Sequence, residues 1–103
     1  MPNAKKEAPF ELQNILVIGA GTMGKQIAVQ CAGHEYDVTL YDVDPSVLGK
    51  AKEEAAQILN WLSADGHICA AELNLILSRI RIESDCASAG ARADLVIECV
   101  FED

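Results

Sequence analysis

Positive charge is scarce in this sequence. The 103 residues include 8 lysines and arginines against 16 aspartates and glutamates, which gives a formal net charge of −8 at pH 7. Nucleic acids and anionic membrane surfaces are attracted by basic protein surfaces, so this balance argues against both as partners. An anionic ligand would have to be held by local groups, because the overall field of the chain repels it.

Long apolar runs are also missing. No stretch approaches the ~20 consecutive apolar residues that a membrane-spanning helix needs. The first residues lack the apolar core of a secretory signal and the arginine-rich pattern of a transit peptide. We therefore expect a cytoplasmic protein with no membrane partner, in which residues 1–13 form a flexible leader.

Closely spaced metal-binding or redox pairs are absent as well. The 2 histidines, His34 and His67, fall in predicted turns, where solvated surface positions are expected. No two cysteines stand in a C-x-x-C arrangement, so no metal site is predicted and free, buried thiols in a reducing compartment are expected. The 4 cysteines are Cys31, Cys69, Cys86 and Cys99.

What the chain does have is an alternation of strand and helix patterns. Helices are predicted from Thr22 to Gly33, from Asp44 to about Asp65 and over residues 70–79, with at most one helical turn in residues 85–92. Such alternation requires a parallel sheet with right-handed crossovers. We expect one α/β domain over residues 14–103, a doubly wound sheet of the Rossmann type that is incomplete and has strand order 3-2-1-4. Its strands are predicted at residues 14–18, 38–41, 80–83 and 95–97.

The same periodicity predicts how side chains are buried. Met23, Ile27, Ala28 and Cys31 share one face of the first helix. Trp61 is expected to pack between helices. Two further expectations are that Lys25 is solvated and that the apolar fourth strand is buried.

A glycine motif, Gly19-Ala20-Gly21-Thr22-Met23-Gly24, joins the first predicted strand to the first helix. Gly19 permits the tight turn, Gly21 removes the Cβ that would block a pyrophosphate, and Gly24 allows the helix to pack closely. Unpaired N–H groups at the start of the helix favour an anion. The hexapeptide alone is a weak signal, but its strand–helix setting predicts a dinucleotide-binding loop.

An acidic residue, Asp42, closes the second predicted strand. It follows the glycine motif at about the ~20-residue spacing of carboxylates that bind an adenosine ribose. Its two oxygens can accept hydrogen bonds from both ribose hydroxyls, whereas a 2′-phosphate about 4 Å away would be repelled by roughly 1–4 kcal/mol. Val43 follows it, rather than an arginine that could pair with such a phosphate. The sequence therefore predicts NAD and not NADP as the cofactor.

Two segments, VIGAGTMG at residues 17–24 and ADLVIECVFE at residues 93–102, resemble the 3-hydroxyacyl-CoA dehydrogenase family. The resemblance extends over residues 14–103 and implies the first portion of that family's NAD-binding domain. The implied reaction belongs to fatty acid metabolism: an L-3-hydroxyacyl-CoA is oxidised to the 3-ketoacyl-CoA as hydride passes to NAD. The resemblance also implies roles for matching residues, with pyrophosphate on the glycine loop and the adenosine ribose on Asp42. Val100 and Phe101 would line the adenosine half of the groove, and Glu102 would lie near the nicotinamide-side ribose and carboxamide.

The family's catalytic histidine and its partner glutamate come after the segment present in this chain. Hydride transfer needs a general base for the hydroxyl proton, and no catalytic residue can be assigned here. We therefore expect the isolated chain to bind NAD without turnover. A non-catalytic module that senses NAD is the alternative.

The sequence constrains the substrate and the oligomeric state less than it constrains the cofactor. No lysine or arginine stands between Glu53 and Ser78, where acyl-CoA enzymes of the family would be expected to present cations. A smaller hydroxy acid, as in the gulonate dehydrogenase or lambda-crystallin branch, therefore stays open as the substrate. In a sheet ordered 3-2-1-4 the last strand, residues 95–97, forms an uncovered apolar edge of the kind that recruits another chain, so a homo-oligomer is expected.

Overall fold

The computed structural model describes residues 12–99. The predicted leader falls almost entirely outside this range, as do Val100, Phe101 and Glu102. The helices are α1 (Thr22–Gly33), α2 (Pro45–Ala64), α3 (Ala70–Ser78) and α4 (Cys86–Ala91). The strands are β1 (Asn14–Ile18), β2 (Asp37–Tyr41), β3 (Ile80–Ile82) and β4 (Leu95–Glu98).

All four strands are parallel and form one sheet in the order β3-β2-β1-β4. The predicted fold class and strand order are thus confirmed. In the middle row of the sheet, Leu16 is in register with Thr39 on one side and Val96 on the other. Thr39 is in turn aligned with Arg81 of β3.

The main core lies between the sheet and helices α1 to α3. Val17, Val38, Leu40 and Ile80 point from the sheet into this layer and are at most 1% exposed, as is Leu59 from α2. Alternate strand residues, including Thr39 and Arg81, point to the other face. There the short helix α4 is the cover, with Ala89 buried against the sheet.

Helix α2 begins where the sequence predicts, at an Asp-Pro pair. The carboxylate of Asp44 accepts hydrogen bonds from the N–H and the hydroxyl of Ser46, at 2.9 and 2.8 Å. Pro45 occupies the first turn, where a missing N–H has no cost. The side chain of Asp44 therefore closes this helix terminus without any outside partner.

Three expectations of core packing are wrong in whole or in part. On α1, Ala28 is buried and Ile27 and Cys31 pack half-buried against the core, as predicted, but Met23 is 64% exposed. The buried face is completed by Gly24, Val29 and Ala32. Small residues form this face because α1 lies very close to the sheet. Trp61 is 78% exposed and does not pack between helices.

The fourth strand is the third of these errors. Leu95 and Val96 of β4 are 41% and 48% exposed, although an apolar run predicts burial. The reason lies in the topology, since β4 pairs with β1 on one side and no further strand within residues 12–99 covers its other side. Its edge is open, as the predicted strand order requires.

Residues 12–99 contain no helix that is long and apolar enough to cross a membrane, and no group of three His, Cys, Asp or Glu side chains that could hold a metal ion.

Candidate dinucleotide-binding site

A glycine turn ends β1 and fixes the geometry of the site. Gly19 has φ +105°, a conformation that side-chain-bearing residues rarely adopt. Its N–H donates to the carbonyl oxygen of Tyr41 at 2.7 Å, and the N–H of Cys99 donates to the carbonyl oxygen of Ile18 at 2.7 Å. A Cβ on Gly19 would lie 2.5 Å from the carbonyl oxygen of Cys99. The turn is thus clamped between the ends of β2 and β4, and the predicted role of Gly19 is confirmed.

The other two glycines serve different purposes. A Cβ on Gly24 would lie 1.6 Å from the carbonyl oxygen of Gly19, so this glycine lets α1 approach the turn, as predicted. Gly21 has ordinary extended backbone angles, φ −75° and ψ −163°, and a Cβ there would meet nothing within 4 Å. The fold itself does not require a glycine at this position.

The N-terminus of α1 has no cap of its own. Gly21 occupies the capping position without a side chain to accept a hydrogen bond, and no acidic residue lies in the first turn. The N–H of Lys25 is the first to find an intrahelical acceptor, the carbonyl oxygen of Gly21, at 3.0 Å. The preceding N–H groups and the helix dipole are left to favour an external anion.

Asp42 lies directly beside this terminus. One of its carboxylate oxygens accepts from the N–H of Ala20 and the other from the N–H of Asp44, both at 2.8 Å. A carboxylate oxygen has two lone pairs, so each still has capacity for one ribose hydroxyl. The bond to Ala20 was not foreseen from the sequence, because it joins residues 22 apart through the turn geometry.

An open cleft of about 370 Å³ lies in front of these groups, at the carboxyl ends of the strands. It is found where β1 is flanked by β2 on one side and β4 on the other, the switch point at which open α/β sheets bind ligands. Gly19, Gly21 and Asp42 supply its polar lining. The remainder is an apolar wall. Cys99, expected from the sequence to be a small apolar residue near the adenosine, lies in it together with three residues that sequence reasoning did not assign: Ile18, Val43 and Val47.

Not every predicted site residue lines this cleft. Ala20 is fully buried and takes part through its N–H alone, while Thr22 and Met23 are exposed at the start of α1. Val100, Phe101 and Glu102 lie outside the described residues. Val47 lies in the first turn of α2, shortly after Asp42 in the sequence. This position brings it into the cleft, but the sequence shows that only once the sheet is assembled.

Lys25 differs from its predicted state. It is 9% exposed, and its ammonium group forms an ion pair with Glu54 of α2. The hydrogen bond from Lys25 lowers the pKa of Glu54 below its usual range. Lys25 therefore ties α1 to α2 and is not a free cation for a phosphate.

The cysteines are free thiols, but only some of them are shielded. Cys69 and Cys86 are exposed, which corrects the expectation that all are buried. Cys31 and Cys99 are half-buried, and burial raises the pKa of each thiol. Cys99 in the cleft is thus held as a neutral thiol and serves as part of the apolar wall.

The histidines occupy surface positions, as predicted. Nδ1 of His34 lies 2.8 Å from the carbonyl oxygen of Gln30, and Nε2 of His67 lies 3.0 Å from the carboxylate of Asp65. Neither ring lines the cleft.

A parallel sheet with this glycine turn, open helix terminus and carboxylate at its switch point defines a dinucleotide-binding domain of the Rossmann type. Residues 14–103 match the family model described as 3-hydroxyacyl-CoA dehydrogenase, NAD binding domain. The chain belongs to this family, so the resemblance and the NAD cofactor deduced from the sequence are confirmed at that level.

Individual proteins similar to this chain have names that agree with this family. The chain is 34% identical over 97 residues to a probable 3-hydroxyacyl-CoA dehydrogenase of Caenorhabditis elegans, covering 89% of this chain and 31% of that protein. The crystal structure of Escherichia coli 3-hydroxybutyryl-CoA dehydrogenase superposes with TM-score 0.81 at 35% identity, over 91% of this chain and 20% of that one. A diketoreductase structure gives TM-score 0.80 at 36% identity, over 89% and 33%. The chain thus spans a third of these proteins or less.

Proposed function

We propose that this chain is the NAD-binding part of an oxidoreductase that converts an L-3-hydroxyacyl-CoA to the 3-ketoacyl-CoA. When bound, NAD would supply the acceptor for the hydride that leaves the hydroxyl-bearing carbon. The observation that supports this most directly is Gly21, which the fold does not need and which stands open beside the carboxylate of Asp42. Residues 14–103 would form the first portion of the NAD-binding domain, after a leader at residues 1–13.

The contacts of the cleft suggest how the dinucleotide is held. The pyrophosphate would lie on the loop from Gly19 to Gly24, against the N–H groups at the start of α1 that have no acceptor of their own. The N–H of Ala20 already bonds to Asp42, so its role is to orient that carboxylate toward the ribose. Thr22 and Met23 would contribute their backbone.

The apolar wall of the cleft suits the adenine ring. Val43 and Val47 line it from the side of β2 and α2, and Cys99 lines it from the side of β4. Val100 and Phe101, which follow directly, would extend this wall, and Glu102 would reach the nicotinamide-side ribose. No residue of the chain is proposed as the base, so binding and orientation are its contribution.

Titration of NAD and NADP into the purified chain tests the proposal. Asp42→Ala should weaken NAD binding by about 1–3 kcal/mol and reduce the preference for NAD over NADP, because the ribose loses an ionised acceptor and a 2′-phosphate loses a repelling charge. Asp65→Ala is the matched control, since it removes an exposed carboxylate at the far end of α2. An unchanged cofactor preference in Asp42→Ala would refute the assignment.

A second substrate class has a specific observation in its favour. The second half of α2 and all of α3 carry no lysine or arginine, and Lys52, earlier in α2, donates to the carbonyl oxygen of Ile80. Little positive charge is thus left in this helical region for the phosphates of CoA. A dehydrogenase acting on a small hydroxy acid without CoA is the alternative, and substrate competition in a full-length enzyme would separate the two.

Assembly and location complete the proposal. The open, partly apolar edge of β4 supports a homo-oligomer, and four free thiols support a reducing, cytoplasmic compartment.

A further inference from the structure

A second concave surface lies at the amino-terminal end of the sheet, opposite to the dinucleotide cleft. It has a volume of about 200 Å³. Arg81 lines it from β3, and Arg79 lines it from the residue before β3. Arg92 lines it from the residue after α4. Thr39 and Asn14 add a hydroxyl and an amide group. We call this surface the arginine cleft.

Its charge is opposite to that of the chain as a whole. Three arginines line the arginine cleft together with one acidic residue, Asp37, whereas the formal net charge of the chain is −8. A second acidic residue, Glu83, lines an adjoining hollow with Arg81 and Arg92. Asp94 lies nearby in the fold but is not among the lining residues, and its carboxylate accepts from the N–H groups of Gln13 and Asn14 at 3.0 and 2.9 Å. Among the residues that line the arginine cleft, positive charge is therefore in excess.

Two of the three arginines also lack an internal acceptor. Arg79 donates from Nη1 to the carbonyl oxygen of Ala32 at 2.7 Å, which holds it in place. Within residues 12–99, Arg81 and Arg92 form no ion pair and no side-chain hydrogen bond, in contrast to Lys25, which is paired with Glu54. Both side chains are exposed and line the arginine cleft without such a partner from the described part of the protein.

The chemistry of the lining indicates which ligand fits. A guanidinium group presents planar paired donors that match the oxygens of phosphate and carboxylate, and these charge-assisted bonds are stronger than neutral ones. A phosphate monoester carries close to two negative charges at pH 7 and would neutralise the excess, whereas one carboxylate would neutralise only half of it. The volume of about 200 Å³ is below the ~300 Å³ at which sites for drug-sized ligands begin, which favours a small phosphorylated ligand.

We propose that the arginine cleft binds the phosphate group of a small phosphorylated molecule. The site is separate from the dinucleotide cleft, because it lies at the opposite ends of the strands and shares no lining residue with it. It does not depend on the proposed dehydrogenase function.

The test is a titration of the ¹⁵N-labelled chain, followed by amide chemical shifts, with inorganic phosphate, glycerol 3-phosphate and succinate in parallel. Saturable shifts at Arg81, Arg92 and Thr39 are expected with both phosphate probes, and tighter binding of glycerol 3-phosphate would indicate an organic phosphate as the ligand. The double variant Arg81→Gln/Arg92→Gln should weaken binding about tenfold or more, since two charged donors are lost. Lys50→Gln removes an exposed cation on α2 and should leave the affinity unchanged.

Three results would overturn the proposal. Shifts confined to Gly21 and Thr22 would show that phosphate binds only at the dinucleotide loop. Equal weakening in Lys50→Gln and in the double variant would show general charge screening. Binding of succinate as tight as that of glycerol 3-phosphate would show that the cleft does not select phosphate. The first result would leave the proposed NAD site intact, so the two proposals fail separately.

Discussion

The N-termini of α1 and α2 lie at the same edge of the sheet and end in opposite ways. Helix α2 is closed by Asp44, whose carboxylate accepts from Ser46. Helix α1 begins at Gly21, which offers no side chain. The cap of α2 is supplied from within the protein, whereas the open terminus of α1 has N–H groups and a dipole that can favour an external anion. A missing cap, rather than an added group, distinguishes the helix that is proposed to bind the cofactor.

The largest effect should come from the contact that brings the open terminus to its place. Gly24→Ala would force a Cβ to within 1.6 Å of the carbonyl oxygen of Gly19, so α1 must move. We expect a loss of about 3 kcal/mol or more in the free energy of unfolding, together with loss of NAD binding. Urea denaturation measures the first. Gly33→Ala in the same helix meets nothing within 4 Å and should retain both properties.

A cap on α1 like that of α2 should weaken NAD binding without harm to the fold. Gly21→Asp introduces a capping carboxylate at a position with ordinary backbone angles and free space around it. Stability should be unchanged or slightly higher, while NAD binding weakens by roughly 1–4 kcal/mol because the new charge meets the pyrophosphate. Calorimetric titration with NAD is the measurement.

The control for this variant is Gly49→Ala in α2, where the new Cβ also meets nothing within 4 Å. It should bind NAD with unchanged affinity. If Gly21→Asp binds NAD as well as the unmodified chain, the open terminus is not the anion site.

Removal of the cap of α2 should have a smaller effect, and it should change stability alone. Asp44→Ala removes the cap and should lower Tm by roughly 4–8 °C. NAD binding should stay nearly unchanged, since the N–H of residue 44, which bonds to Asp42, belongs to the backbone and is retained. Thermal unfolding with and without NAD separates the two effects. A large loss of affinity would mean that this cap also positions the cofactor.

The smallest expected effect is on the pH dependence of the stability that the Asp44 cap contributes. Hydrogen bonds from Ser46 hold the pKa of Asp44 below its usual value of about 3.9, so the unfolded chain binds this proton more readily than the folded one. The contribution of the cap is therefore complete above about pH 4 and is lost as the pH falls through the lowered pKa. The difference in stability between the unmodified chain and Asp44→Ala should shrink in that range. A constant difference down to pH 2 would exclude this origin.

The two termini also show what sequence could and could not predict. Asp44-Pro45 and the glycine motif are local signals, and each produced the predicted helix start. The strand order followed from the alternation of elements. The burial of side chains was harder to predict, because it depends on which part of the folded chain packs against each residue. Met23 has the hydrophobicity of a core residue, yet the closeness of α1 to the sheet leaves room only for small side chains on its inner face.

The residues that line the candidate cleft also include some that the sequence could predict and some that it could not. Gly19, Gly21 and Asp42 could be assigned from their types and spacing. Val43 and Val47 could not, because isolated valines carry no signal until the ends of β1, β2 and α2 are brought together. The burial of Lys25 likewise depends on Glu54, a partner 29 residues away that no helical or strand period connects to it.

The hydrogen bond from Ala20 to Asp42 has a consequence for how quickly and tightly a dinucleotide can be captured. With Asp44 it immobilises both carboxylate oxygens before any cofactor arrives, so the receptor is preorganised and association need not spend entropy on ordering it. It also couples two stretches of chain, since a residue inserted into the turn would displace both the carboxylate proposed to bind the ribose and the loop proposed to hold the phosphates.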